Sequence, residues 1–324
     1  MQGIKILGSA SYCPETVATN DDFTKIIETN DEWITTRTGV RQRHIAVGET
    51  TFTMGVNAAR KAVEASGLAK EEIDMIICST VTPDSFFPSM SCVIQKELDI
   101  PGCMAFDISA ACSGFVYVLD IAQKYIASGN AKHILVVSAE KLSKLVDYTD
   151  RSSCILFGDG AAAVVLGESQ TLFSSYMGAD GRGCDYLRAT CQTGIPCPLF
   201  EEELLSDDTG KIFQNGKEVY KFATSVMPKA IAEAAARADI DVNDIDIFIP
   251  HQANIRIIKT AASKLGISDE KFYVNIENYG NTSSASIPIA LHEAIENKKI
   301  KRGDKVLLVG FGAGLTYGAV LIEY

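Results

Sequence analysis

Cys112 is the residue in this chain best placed to do chemistry. It stands in Asp107-Ile-Ser-Ala-Ala-Cys-Ser-Gly-Phe115, among small residues, where an apolar strand (103–108) gives way to an apolar helix (114–128). At a helix start, free N–H groups and the helix dipole favour a thiolate, which suits nucleophilic attack. Taken alone, the string also fits a small buried hydrophobe, because free cysteine is among the most buried residue types. Three further strings turn the reading toward catalysis. Ile249-Pro-His-Gln-Ala-Asn254 sets His251 at a strand end, just before a helix. Asn278-Tyr-Gly-Asn-Thr-Ser-Ser-Ala-Ser-Ile-Pro288 sets Asn281 ahead of a second small-residue helix. Gly310-Phe-Gly-Ala-Gly-Leu-Thr-Tyr-Gly318 is a loop where backbone can approach a substrate closely. Catalytic groups of open α/β folds gather at the carboxyl ends of strands, where all three strings fall.

A cysteine, a histidine and an asparagine around one pocket suit acyl-thioester chemistry. The thiolate takes the acyl group. A neutral imidazole and a carboxamide N–H can both donate to a developing enolate oxygen. Backbone N–H groups at the helix start and in the glycine-rich loop can hold a tetrahedral oxyanion. Individually, His251 also fits a satisfied core histidine and Asn281 a helix N-cap.

The elements that must position these residues are written twice. In the first half, a helical period (58–67) is followed by a strand (71–78) and a helix (89–98); in the second, 230–238, 243–250 and 255–265 repeat that order. Cys112-Ser-Gly, a long helix and the strand 133–138 then match Asn281-Thr-Ser, a long helix and the strand 305–310. Each half closes with a glycine-rich turn and a strand, 158–166 and 312–321. Alternating strands and helices give α/β layering. The two helices after Cys112 and Asn281 are apolar or small enough to lie between sheets. The expected architecture is therefore a five-layered αβαβα fold of two pseudo-equivalent halves, residues 1–170 and 171–324. A pseudo-twofold would bring the two helix starts together and set Cys112 across one cavity from Asn281.

Composition narrows the function. A chain of 324 residues that is 47% apolar can fill a large core. Nowhere does it reach the roughly 18 consecutive apolar residues of a membrane span. Its first residues read as a strand rather than a secretion signal. Nine scattered cysteines with no C-x-x-C pair argue against a disulfide framework or zinc ribbon and for a reducing cytoplasm. A net charge of −11 argues against general nucleic-acid binding and requires a local basic patch for any acidic partner. No glycine string fits a dinucleotide fingerprint, and neither a metal nor a redox cofactor is indicated.

Together these residues resemble the β-ketoacyl-acyl-carrier-protein synthase III family of the thiolase superfamily, the condensing enzymes that start type II fatty-acid synthesis. The resemblance runs nearly end to end. It is carried by Asp31-Glu-Trp-Ile-Thr-Thr-Arg-Thr-Gly39, Phe87-Pro-Ser89, Ala110-Ala-Cys-Ser-Gly114, Asp150-Arg151, Phe157-Gly-Asp-Gly160, His251-Gln-Ala-Asn254, Gly280-Asn-Thr-Ser283 and the 310–318 loop. It implies that Cys112 is acylated by a short acyl-CoA, and that His251 and Asn281 support decarboxylation of malonyl-acyl-carrier protein. Ala313 falls where the family has a glycine whose N–H joins that of Cys112 in an oxyanion hole. Trp33 and Arg151 match the partners that sandwich the CoA adenine, Arg37 a phosphate contact, Asn254 a pantetheine contact and Phe87 the closure of the acyl pocket. The chain departs from the family at Lys217, which replaces a pantetheine-binding asparagine, with Asn215 nearby, and at Ser152, which replaces a glycine of some members. CoA is a substrate here, so no cofactor is implied. An acidic carrier protein would meet Arg256, Lys259 and Lys264 on the helix after His251, joined by Lys221. A cytoplasmic homodimer is expected, paired along the strand near 103–108. Two other readings remain open: a starter-specific relative from polyketide or quinolone synthesis, and a non-catalytic subunit that binds carrier protein.

Overall fold

The computed structural model describes residues 3–190 and 210–324. Nine strands and seven helices position the site: β1 (Gly3–Tyr12), α1 (Asp31–Thr38), α2 (Thr51–Ser66), β2 (Met75–Ser79), α3 (Met90–Glu97), β3 (Met104–Ile108), α4 (Gly114–Ala127), β4 (His133–Lys141), β5 (Asp159–Ser169), β6 (Phe173–Ala179), α5 (Gly216–Arg237), β7 (Ile247–Pro250), α6 (Ile255–Leu265), α7 (Ser286–Glu296), β8 (Lys305–Gly312) and β9 (Thr316–Glu323). One sheet has the order β1-β5-β4-β2-β3 and the other β7-β8-β9-β6. In each, a parallel pair (β2 with β4, β7 with β8) is continued by antiparallel strands.

Burial explains the layering. The central helices α4 and α7 are apolar on more than one side and pack between the sheets. Phe115, Leu119 and Ile126 of α4 and Ile287, Leu291 and Ala294 of α7 meet Ile77, Val136, Ile249 and Leu308 in one core. The outer faces are covered by amphipathic helices, whose single apolar stripe suits a position with water on the other side. Met54, Ala58 and Ala62 of α2 and Ile94 of α3 cover Ile76, Leu135 and Val165. Met227 and Ile231 of α5 and Ile257 and Ala261 of α6 cover Phe248, Leu307 and Leu321. The result is the expected αβαβα stack.

Three details differ from the sequence reading. The strand before Cys112 is not buried: β3 is the free edge of its sheet, with Met104 49% exposed and the next four residues half-buried. Its counterpart in the other sheet is reduced to a single bridge between Phe248 and Phe272. The helix expected over 230–238 runs from Gly216 to Arg237, straight through Pro228. A proline inside a helix leaves the carbonyl four residues earlier without its donor. Here that carbonyl is Thr224, and the Lys264 ammonium donates to it at 2.9 Å.

Candidate active site

The chain from β3 into α4 makes a tight, locally strained turn. Ala111 has φ +46°, in the left-handed region that costs a residue with a Cβ energy. It opens a three-residue turn, Ala111–Ser113, so Cys112 precedes the α-helix rather than lying in its first turn. The second half repeats this geometry. Ser283 has φ +50° and opens the turn Ser283–Ala285 ahead of α7. The backbone equivalent of Cys112 is therefore Ser284, and not Asn281 as the sequence repeat sets it.

Cys112, His251 and Asn281 nevertheless line one cavity of about 520 Å³, within the range of small-molecule sites. Each is held by its own element. His251 follows β7, and its N–H donates to Val309 O of β8 at 2.8 Å. Its ring meets Phe311 edge-on at 5.2 Å, and its Nδ1 lies 2.7 Å from Ser286 Oγ. The Gln252 N–H also donates to that oxygen, at 3.3 Å. The Ser286 hydroxyl can then donate to Nδ1, and in that tautomer Nε2 is the donor of a neutral imidazole. Burial drives the His251 pKa down to about 3, so the ring stays neutral at physiological pH.

Asn281 is held by backbone on both sides: its N–H donates to Leu156 O at 2.8 Å, and Gly158 N–H donates to its carbonyl at 3.0 Å. Its side-chain Oδ1 accepts from Ser283 N at 2.8 Å. The cap reading and the catalytic one thus coexist, since the bond that caps the turn also fixes which end of the carboxamide donates. Gly280, at φ +63°, permits the bend; a Cβ there would meet Leu156 O at 2.7 Å.

The glycine-rich loop reaches Cys112 at Gly312, where an added Cβ would sit 2.6 Å from the Cys112 nitrogen. Ala313 begins the turn that follows, Ala313–Leu315. Positive φ falls on Gly314 and Leu315 and not on Ala313, so the alanine methyl imposes no strain there. Two hydroxyls clamp this turn to the cysteine turn. Ser113 Oγ and Thr316 Oγ1 are 2.7 Å apart; they reach Ala110 O at 2.7 and 3.0 Å, and Thr316 also reaches Ala313 O at 3.2 Å. Burial, with a smaller push from Glu140 and against the pull of the Ser283 hydroxyl and its own N–H, raises the Cys112 thiol to about 12. Desolvation therefore outweighs the helix-start donors expected to favour a thiolate.

The remaining candidates divide. Trp33, Arg37, Ser152 and Asn254 line the same cavity. Arg37 and Arg151 both lie over the Trp33 ring, at 4.5 and 4.8 Å from its centroid. That spacing leaves no room for a third ring between Trp33 and Arg151. Asn254 spans two elements, donating to Arg37 O at 3.0 Å and accepting from Arg256 N at 2.9 Å. Gln214 and Gly216 line the cavity on either side of Asn215, which caps α5; Lys217 is exposed and outside it. Phe87 is 86% exposed and lies outside its own chain's cavity. Of the four cations, Arg256 and Lys259 are exposed on α6, whereas Lys264 is anchored to Thr224 O and Lys221 faces Glu218 at 4.0 Å.

Ser286, Thr316 and Glu140 are absent from the sequence-derived site. A serine or threonine in such strings has many uses, and only the fold reveals which one meets a catalytic group.

Comparison with known proteins agrees with this geometry. Residues 106–181 match the family model described as 3-oxoacyl-[acyl-carrier-protein (ACP)] synthase III, and residues 235–324 match its C-terminal part. A β-ketoacyl-[acyl-carrier-protein] synthase III of Clostridium tetani is 48% identical over 99% of this chain and 98% of its own length. The crystal structure of the 3-oxoacyl-[acyl-carrier-protein] synthase III of Aquifex aeolicus, 48% identical, superposes with a TM-score of 0.92 over 99% of this chain and all of that one. A priming β-ketosynthase from the R1128 polyketide pathway, 36% identical, superposes at 0.89 over 99% of this chain and 96% of its own. With its whole length matched at such identity and its cysteine, histidine and asparagine in one cavity, this chain belongs to the β-ketoacyl-[acyl-carrier-protein] synthase III family.

Proposed function

We propose that the chain is the initiating condensing enzyme of type II fatty-acid synthesis, acting through Cys112, His251 and Asn281. The observation that carries this reading is the convergence of these three side chains, from three separate elements, on one cavity. In the first half-reaction Cys112 sulfur bonds to the acyl carbon of a short acyl-CoA. The carbon–sulfur bond to CoA breaks, and the thiol proton ends on the departing CoA thiol. The N–H groups of Cys112 and Ala313 would receive the oxyanion. In the second, malonyl-carrier protein loses CO2, and His251 Nε2–H and the Asn281 carboxamide N–H donate to the enolate oxygen. The enolate carbon attacks acyl-Cys112, a carbon–carbon bond forms, and Cys112 sulfur leaves and takes up a proton from solvent. A neutral His251 is the form this step needs. The test is reconstitution with acetyl-CoA and malonyl-carrier protein. The 3-oxoacyl carrier protein, CoA and CO2 are expected together; CoA release without a carbon–carbon bond would contradict the reading. The similarity to a polyketide priming enzyme keeps a starter-specific role as the second reading. A panel of acyl-CoA primers with intact-mass readout separates the two.

CoA would enter along Trp33 and Arg37, with Arg151 swinging off the Trp33 face to admit the adenine. Carrier protein would dock at Arg256 and Lys259, the two candidate cations whose side chains are held neither by an ion pair, as Lys221 is, nor by a backbone carbonyl, as Lys264 is. Both proteins carry net negative charge in this reading, so association depends on these few cations. Arg256→Glu is expected to slow the use of malonyl-carrier protein about tenfold at low salt, with little change in acylation by acetyl-CoA. Equal losses in both rates would place docking elsewhere.

The free edge at β3 and the exposed Phe86 and Phe87 beside it support a homodimer paired along that edge. Asp107 of β3 accepts from Met90 N and Ser91 N, so the Phe86–Phe87 loop travels with the edge. Sedimentation at micromolar concentration is expected to give a dimer, and a Met104→Lys variant should shift it toward monomer. A monomeric parent would contradict the pairing. No helix among the described residues is long and apolar enough to cross a membrane, and the seven cysteines among them are unpaired. Both facts support a cytoplasmic site of action; Cys191 and Cys197 lie outside the described residues.

A further inference from the structure

We infer that Glu140 is a positioning residue for the condensation: its buried carboxylate ties the turn that orients Asn281 to the loop after β2, at the start of the helix that follows Cys112. Glu140, on β4, is 0% exposed. One carboxylate oxygen accepts from Ser284 Oγ at 2.7 Å. The other accepts from Thr82 Oγ1 at 2.8 Å, Val81 N at 3.1 Å and Thr80 Oγ1 at 3.3 Å. Three donors converge on one oxygen and a fourth meets the other, so the side chain serves as an acceptor on both sides. Burial raises its pKa above the ordinary carboxylate value, and these hydrogen bonds oppose that rise without cancelling it. The N-terminus of α7, two residues beyond Ser284, adds a favourable potential for a negative charge.

The reach of this residue is what makes it functional. Ser284 is the backbone equivalent of Cys112 in the other half, and Ser283 beside it supplies the N–H that fixes the Asn281 carboxamide. Ser284 Oγ also lies 3.3 Å from Ser79 O, and its Cβ would be 3.4 Å from a Cβ added at Gly114, the first residue of α4. Through one side chain, Glu140 thus sets the spacing between the Asn281 turn and the Cys112 turn. The titratable groups that feel its charge are Cys112, whose thiol it pushes up, and Lys144 beyond the end of β4. From the 80–82 loop and the 283–284 turn it meets only hydroxyls and an N–H. The Glu140 charge adds to the larger effect of burial on the Cys112 thiol.

This inference rests on Cys112 as the acylated residue, and the test separates the two claims. Glu140→Gln keeps the shape, since the hydroxyls can turn to accept from an amide, but it removes the charge. Ser284→Ala keeps the charge and cuts the tie. The pH profile of Cys112 alkylation by iodoacetamide is measured by peptide mapping, together with malonyl-carrier decarboxylation. Glu140→Gln is expected to alkylate about tenfold faster than the parent at pH 8, the equivalent of one unit of pKa. Ser284→Ala is expected to keep the parent's alkylation profile and lose about tenfold in kcat for decarboxylation, with KM little changed. Parent-like alkylation in Glu140→Gln, or parent-like decarboxylation in Ser284→Ala, overturns the assignment. A parent that takes acetyl elsewhere than Cys112 overturns the underlying mechanism instead.

Discussion

Alanine at His251 or Asn281 is expected to cut malonyl-carrier decarboxylation about 10²–10³-fold, as loss of one preorganised donor to a developing oxyanion does. Acetylation of Cys112 by acetyl-CoA should change far less, because no enolate forms in that half-reaction. Protonation sets this difference. His251 is buried and neutral, with Nδ1 turned to the Ser286 hydroxyl, so it offers Nε2–H and no positive charge. Asn281 has its Oδ1 committed to Ser283 N, so it offers Nδ2–H. Two neutral donors suit an enolate and do little for a thiol that must lose a proton. Because the His251 pKa lies well below neutrality, decarboxylation in the parent should show no loss from His251 protonation between pH 6 and 8. Rates of the two half-reactions, taken separately by mass spectrometry, check this. Acylation that collapses in both variants while decarboxylation stays at the parent's rate would reverse the roles.

Gly312→Ala is expected to damage both half-reactions together, by about 10²-fold each. The backbone there is extended, at φ −168°, so alanine can adopt it. The obstacle is space: the new Cβ would lie 2.6 Å from the Cys112 nitrogen, closer than real Cβ contacts come. Either β8 or the Cys112 turn must shift, and that N–H is one of the two proposed oxyanion donors. Both half-reactions pass through a tetrahedral oxyanion on the same carbon, so both should suffer, unlike the His251 and Asn281 variants. Overpacking should also lower stability by about 1–3 kcal/mol, read by thermal melting. Unchanged acylation in a folded Gly312→Ala would remove Cys112 N–H from the oxyanion site.

What was legible in the sequence follows from what local chemistry can encode. The strand, turn and helix around Cys112 were readable because an apolar run, small residues and a second apolar run follow one another without ambiguity. The five layers were readable because the helices after Cys112 and Asn281 lack the polar face a surface helix needs. The register of the repeat was not. Thr282-Ser-Ser-Ala-Ser286 offers no side-chain landmark, and only the left-handed φ of Ser283, matching that of Ala111, places Ser284 opposite Cys112. Pro228 hid half of α5, because the compensation for its missing N–H comes from Lys264, which bonds Thr224 from 40 residues along the chain. The same long-range bond makes Lys264 a poor docking cation. Glu140 and Ser286 were invisible for a related reason: their partners lie 144 and 35 residues distant. Phe87 was placed in the pocket by resemblance, while the chain by itself leaves the ring exposed beside a sheet edge.

The central claim is that Cys112 alone carries the acyl group between two substrates. The most direct measurement is peptide mapping after brief exposure to acetyl-CoA, then again after adding malonyl-carrier protein. An acetyl group is expected on Cys112 and on no other cysteine, lost on the second addition as 3-oxoacyl carrier protein appears. An acetyl group on another cysteine with Cys112 unmodified, or an acetyl-Cys112 that survives while product accumulates, would contradict it.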